Sequence, residues 1–139
     1  MLRDCVRRND ESTWRERNAM ASVLAVDDSA SMRGLVAMAL KKAGHDVKTA
    51  EDGVEALEYA KNNAVELVVT DVHMPNMDGI TLVTHLRALP AYKFTPILVL
   101  TTESGGDMKE QGKAAGATGW IVKPFDPEKL LAAIDRVLA

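Results

Sequence analysis

Three carboxylates, a hydroxyl and an ammonium stand at the ends of four short apolar runs. Asp27 and Asp28 follow Val23–Val26, Asp71 follows Leu67–Thr70, Thr101 ends the run begun by Ile97–Leu100, and Lys123 follows Trp120–Val122. Carboxylates brought together repel, and at neutral pH they stay ionised cheaply only when a cation joins them. Mg²⁺ suits such a set, because it prefers hard oxygen ligands and keeps waters and phosphate oxygens in its shell; Mn²⁺ could substitute. A carboxylate beside such an ion can attack a phosphoryl group in line and become an acyl phosphate. Asp71 is placed for that role, with the metal and Lys123 neutralising the phosphoryl oxygens and Thr101 donating a hydrogen bond to one of them. Any single aspartate at a strand end is more often a turn or cap residue. The joint pattern is much less easily explained that way.

These residues converge only if the elements beneath them form one sheet. From Ser22 onward, short apolar runs alternate with amphipathic stretches: Val23–Val26, Ser31–Ala43, Val47–Ala50, Gly53–Lys61, Leu67–Thr70, Ile80–Ala88, Ile97–Leu100, Met108–Ala115, Trp120–Val122 and Glu128–Leu138. The runs Leu67-Val68-Val69 and Ile97-Leu98-Val99-Leu100 are apolar without alternation, as in parallel strands buried on both faces. The last stretch places Leu130, Leu131, Ile134, Val137 and Leu138 at helical spacing, after an Asp126-Pro127 start with an N-cap and Pro at N1. Strand and helix repeated five times predict a three-layer α/β domain, with ligands outside the carboxyl ends of the strands.

Composition narrows the function further. The 139 residues are 47% apolar and 27% charged, which fits one globular domain and no transmembrane span. Cys5 has no partner for a disulfide or a Cys-based metal site, and a reducing cytoplasm fits it best. A net charge of −3 with no basic stripe argues against nucleic acid as a partner. Residues 1–20 differ in kind: five arginines face four acids, without the apolar core of a signal peptide. They are expected to be an N-terminal extension, either a tail left by an upstream start codon or by cloning or a short docking arm, preceding a domain over 21–139.

The stretches Val26-Asp27-Asp28-Ser29, Asp71-Val72-His73-Met74-Pro75-Asn76-Met77-Asp78-Gly79, Thr101-Thr102-Glu103 and Gly119-Trp120-Ile121-Val122-Lys123-Pro124-Phe125 resemble the signature of response-regulator receiver domains, most closely the chemotaxis group. The resemblance implies a doubly wound (βα)5 flavodoxin-like fold, its parallel strands in order 2-1-3-4-5. It implies a two-component signalling protein, not an enzyme in the ordinary sense. Asp71 would accept phosphate from a histidine kinase, with Asp28, Asp71 and the His73 backbone carbonyl as direct Mg²⁺ ligands and Asp27 acting through water. Thr101, Lys123 and Trp120 would bind the phosphoryl group and relay the switch, and Lys123-Pro124 would be a cis peptide. A monomer acting on a separate target, the flagellar motor switch, would follow, with a phosphatase among the partners and no output domain.

Several residues depart from the family pattern. Trp120 stands where a tyrosine or phenylalanine is common, and its larger indole with an N–H to satisfy suggests an outward rotamer populated even after phosphorylation. His73 replaces an asparagine, and with Glu103 is expected to tune the acyl-phosphate lifetime. His45 and His85 read as ordinary polar positions. The glycines around the fourth helix, Gly105, Gly106, Gly112 and Gly116, predict it to be the least stable of the five. The rival readings are a phosphorelay intermediate or phosphate sink, a haloacid-dehalogenase-like phosphatase, and a flavodoxin-like electron carrier. The phosphatase expects acids at i and i+2, not the adjacent Asp27-Asp28, and the electron carrier expects hydroxyls and glycines in that loop.

Overall fold

The computed structural model describes residues 21–101, 106–123 and 126–138, with the side chains of 106–108 left aside. The expected extension over 1–20, the tuning residue Glu103 and the Pro124 partner of the expected cis peptide lie outside these residues.

Five strands form one parallel sheet: β1 (Ser22–Val26), β2 (Asp46–Ala50), β3 (Leu67–Asp71), β4 (Ile97–Thr101) and β5 (Gly119–Val122), in the order β2-β1-β3-β4-β5. The connecting helices are α1 (Ala30–Lys42), α2 (Gly53–Asn62), α3 (Gly79–Arg87), α4 (Gly106–Ala115) and α5 (Pro127–Leu138). A 3-10 turn at Pro90–Tyr92, not expected from the sequence, lies between α3 and β4. Burial follows position in the sheet. Every residue of β3 and β4 is buried, whereas the edge strand β2 buries only Ala50.

Successive side chains of a strand point to opposite faces, and the central strands divide their apolar residues accordingly. Val23, Ala25, Leu67, Val69, Leu98 and Leu100 pack with Val36 and Leu40 of α1 and Leu130 and Ile134 of α5. Leu24, Val26, Val68, Ile97 and Val99 pack with Ala56 and Ala60 of α2 and Leu82, Val83 and Leu86 of α3. One sheet therefore separates two cores. Four helices start on side-chain caps: Ser29 accepts from the Met32 N–H, Asp52 from Glu55, Asp78 from Thr81 and Asp126 from Glu128. Each cap follows a strand end, so the turns that carry the polar site residues also fix the helix starts.

Arg87, at the end of α3, holds the opposite end of the molecule together. Its guanidinium donates to the carbonyls of Gly116 at 2.9 Å, Tyr92 at 2.6 Å and Thr95 at 2.7 Å, tying the 3-10 turn and the α4–β5 turn to one side chain. Gly116 meets it with φ +109°, a left-handed conformation suited to glycine at a helix end. Arg87→Ala removes the shared donor from these carbonyls and from that of Lys93, and should cost about 2–4 kcal/mol, read as a lowered urea midpoint with an unchanged slope.

His45 is buried at 5% exposure, which corrects its sequence reading as an ordinary polar turn residue. Its Nδ1 has no hydrogen-bond partner among the described residues. Burial pushes the imidazole below its usual 6.5, while the Asp135 carboxylate opposes that shift. A depressed folded pKa means that the neutral ring is the stable one. Its contribution is therefore complete above pH 6.5 and is lost as pH falls through the lower folded value. On acidification from pH 7.5 to 5, the wild type should lose about 2–4 °C more in Tm than His45→Gln, measured in parallel melts.

Candidate functional site

The site lies at the carboxyl edge of the sheet, where the chain order reverses between β1 and β3. β1 runs beside both β2 and β3, so the loops leaving β1 and β3 diverge and open a crevice at that edge. Asp27 follows β1, Asp71 ends β3, Thr101 ends β4, and Lys123 follows β5. The four strand ends identified from the sequence thus arrive at one place.

Asp27, Asp28 and Asp71 offer carboxylate oxygens that all lie within 4.8 Å of one another. Asp27 and Asp71 are buried, at 4% and 8% exposure, while Asp28 is exposed at the mouth. The Lys123 ammonium bridges the two buried acids, with Nζ 3.0 Å from Asp27 Oδ2 and 3.3 Å from Asp71 Oδ1. Backbone donors fix the carboxylates: the Ser29 N–H reaches Asp27 Oδ1 and the Val72 N–H reaches Asp71 Oδ1, each at 2.9 Å. Lys123 is itself anchored, since its N–H donates to the Thr101 carbonyl at 2.6 Å. Arg33 of α1 donates to the Asp27 carbonyl at 2.8 Å.

Electrostatics set Asp71 and Lys123 apart. Burial, and then the charge of Asp27, push the Asp71 carboxyl above its ordinary value, against the pull of Lys123 and of the Val72 N–H. Burial alone would lower the Lys123 ammonium, but its bond to Asp27 and the charge of Asp71 outweigh that, so its net shift is upward. The lysine is held charged beside a carboxylate that is costly to ionise. Three clustered hard-oxygen acids with one lysine carry excess negative charge, and this donor set fits a divalent cation such as Mg²⁺.

The loop after β3 is held from two sides. The Gly79 N–H donates to the Val72 carbonyl at 2.8 Å, and the Gly53 N–H at the start of α2 donates to the Met77 carbonyl at 3.2 Å. Asn76 adopts φ 70° and donates its side-chain N–H to Asp52 Oδ2 at 2.7 Å. Asp52 thus caps α2 with one oxygen and grips this loop with the other. The loop tie was not anticipated from the sequence; the Pro75-Asn76-Met77-Asp78-Gly79 run, dense in turn-forming residues, was its only signal.

Thr101 is fully buried and His73 is exposed. Trp120 is half-buried and faces the core beneath α2 and α3. His85 is exposed on α3, as expected.

Comparison with known proteins gives a consistent picture. The family model described as the response regulator receiver domain matches residues 23–135. A chemotaxis protein CheY homolog of Campylobacter jejuni is 42% identical over 118 residues, covering 84% of this chain and 91% of that protein. The chemotaxis protein CheY1 of Helicobacter pylori is 41% identical, covering 84% of this chain and 95% of its own length. Among solved structures, the chemotaxis response regulator CheY4 of Vibrio cholerae superposes with a TM-score of 0.82 at 52% identity, covering 85% of this chain and 98% of that one.

Proposed function

The chain belongs to the response regulator receiver domain family, and from that premise we propose that it is a chemotaxis signalling protein switched by phosphorylation of Asp71. The observation that carries this reading is the Asp71 carboxylate, buried within reach of two other acids and bridged by Lys123 to one of them.

A phosphohistidine of a histidine kinase, or a small donor such as acetyl phosphate, presents its phosphorus to one Asp71 oxygen. The new P–O bond forms as the bond to the leaving group breaks; the histidine leaves as imidazole protonated from solvent, whereas acetate leaves as its anion. Lys123 stays charged throughout and pairs with the phosphoryl oxygens, while the Thr101 hydroxyl donates to another of them. Asp28, Asp71 and the His73 carbonyl would hold Mg²⁺ directly and Asp27 through a water. Bound there, the ion would offset the negative charge that gathers as the phosphoryl group arrives. His73 at the mouth, with Glu103, would govern access of the water that ends the signal.

The switched surface is the face of α4, β5 and α5 around Trp120. The target is a separate protein, the flagellar motor switch, in keeping with relatives named for chemotaxis. The receiver unit would span 21–139 and act as a cytoplasmic monomer. Among the described residues, no helix is long and apolar enough to cross a membrane.

Intact mass after incubation with acetyl phosphate is the direct test. One added phosphoryl group that appears with Mg²⁺ and vanishes with a chelator is the expected result; no addition under either condition would overturn the reading. A motor-switch peptide that binds more tightly after phosphorylation would support the chemotaxis target. Quantitative transfer of the group to a histidine phosphotransfer domain without such binding would assign a relay or phosphate sink.

A further inference from the structure

Gly112 lies inside α4, is buried, and has no conformational need to be glycine, since its φ is not among the positive ones. Glycine is a poor residue for a helix interior, so its presence calls for a contact that other residues would spoil. The contact is with the Trp120 indole. A Cβ built at position 112 would stand 2.9 Å from Trp120 Cζ3 and 3.1 Å from Cε3, with Ile80 Cδ1 next at 3.7 Å. Two ring atoms are obstructed together. An indole is rigid, so relief requires the whole ring to turn about its side-chain torsions. Trp120 pairs with Val99 in the sheet and is half-buried against the core below α2 and α3, so the ring bridges β5, that core and α4.

We propose that Gly112 is a positioning residue: the missing side chain on α4 is the seat of the Trp120 indole, and it couples the ring's position to that helix. The extra bulk of the indole is accommodated by the vacancy on the facing helix. A methyl group at position 112 turns the ring outward, and a displacement of α4 relative to β5 unseats it in the same way. The seat is a property of the unphosphorylated chain. Only its signalling consequence, that the ring reports the position of α4, rests on the function proposed above.

The test uses the full chain carrying Trp14→Phe, so that Trp120 is the one indole. Acrylamide quenching of its fluorescence should rise at least about twofold on Gly112→Ala, because overpacking drives side chains from their seats. Melting temperature gives the rescue. With Phe at 120 the obstructed ring atoms are gone, and Gly112→Ala should raise Tm by about 2–4 °C through helix propensity alone. With Trp at 120 the same substitution should give no gain or a loss, and a Gly112→Ala chain that fails to fold but recovers with Trp120→Phe supports the seat equally. Unchanged quenching, or the same Tm gain in both backgrounds, would overturn it. The signalling arm adds Mg²⁺ and beryllofluoride: a fluorescence change present with Gly112 and absent with Ala supports coupling to α4, and an identical change in both overturns it. Failure of the receiver reading would show separately, as no phosphoryl incorporation from acetyl phosphate into the Gly112 chain, and the quenching and Tm arms would still decide the seat.

Discussion

Asp71→Asn is expected to abolish phosphoryl incorporation, a loss of at least about 10³-fold, because an amide oxygen is a far weaker nucleophile than a carboxylate. The same substitution should raise Tm by about 3–6 °C at pH 7.5. The gain follows from the direction of the Asp71 shift. Burial and the neighbouring Asp27 raise its folded pKa above the ordinary 3.8, with Lys123 only partly offsetting them. A raised folded pKa means that proton binding stabilises the fold, and this benefit is lost as pH rises through the folded value. Above that folded value Asp71 is ionised in both states, and the fold bears the cost of the charge. Asparagine removes the charge and leaves Lys123 paired with Asp27. The gap between the two proteins should narrow as pH falls toward the carboxylate range. Parallel melts from pH 7.5 to 5 check this, and a variant no more stable than the wild type would show that Lys123 already neutralises the site.

Gly79→Ala is expected to be the most damaging alanine substitution among Gly34, Gly53, Gly79, Gly112, Gly116 and Gly119. A Cβ there would stand 2.0 Å from the Asp71 carbonyl oxygen, 2.9 Å from the Asp71 carbonyl carbon and 3.0 Å from Val72 Cα. All three are backbone atoms at the end of a fully buried strand, and they cannot turn aside as a side chain would. The Gly79 N–H also donates to the Val72 carbonyl, so separating the two segments breaks a buried hydrogen bond. We expect a loss of at least about 4 kcal/mol, enough to leave a substantial unfolded population at 25 °C. Urea unfolding followed by circular dichroism measures it, and a midpoint within error of the wild type would show that β3 and α3 can part without cost. Any chain that remains folded should also take up phosphate slowly, because the displaced atoms belong to Asp71 itself.

The elements were legible because their signals are local. The apolar runs Leu67–Thr70 and Ile97–Leu100 each coincide with the observed strands to within one residue, and Asp126-Pro127 marks the start of α5. α4 starts at Gly106; the sequence pattern indicates Met108, two residues later, because a glycine-rich entrance argues against helix in any reading by propensity. The site was legible for a different reason: a parallel α/β sheet sends its strand ends to one edge, so residue types at those ends could be combined without knowing any distance. What escaped were groups whose partners are remote along the chain. Arg87 is defined by carbonyls up to 29 residues away. His45 is buried in a neighbourhood that includes Asp135. Gly112 shows its purpose only against Trp120. No periodicity or turn signal encodes such meetings.

The acids, hydroxyl and ammonium of the site all stand at strand ends, and none is on the outer surface of a helix. The chemistry and the recognition surface are therefore separately editable. Residues such as Leu35 and Met38 on α1, or Val54 on α2, are exposed and far more free to vary than anything at the carboxyl edge. A lineage, or a designer, could re-address such a domain by rewriting exposed positions away from the carboxyl edge, with the pocket carried along intact.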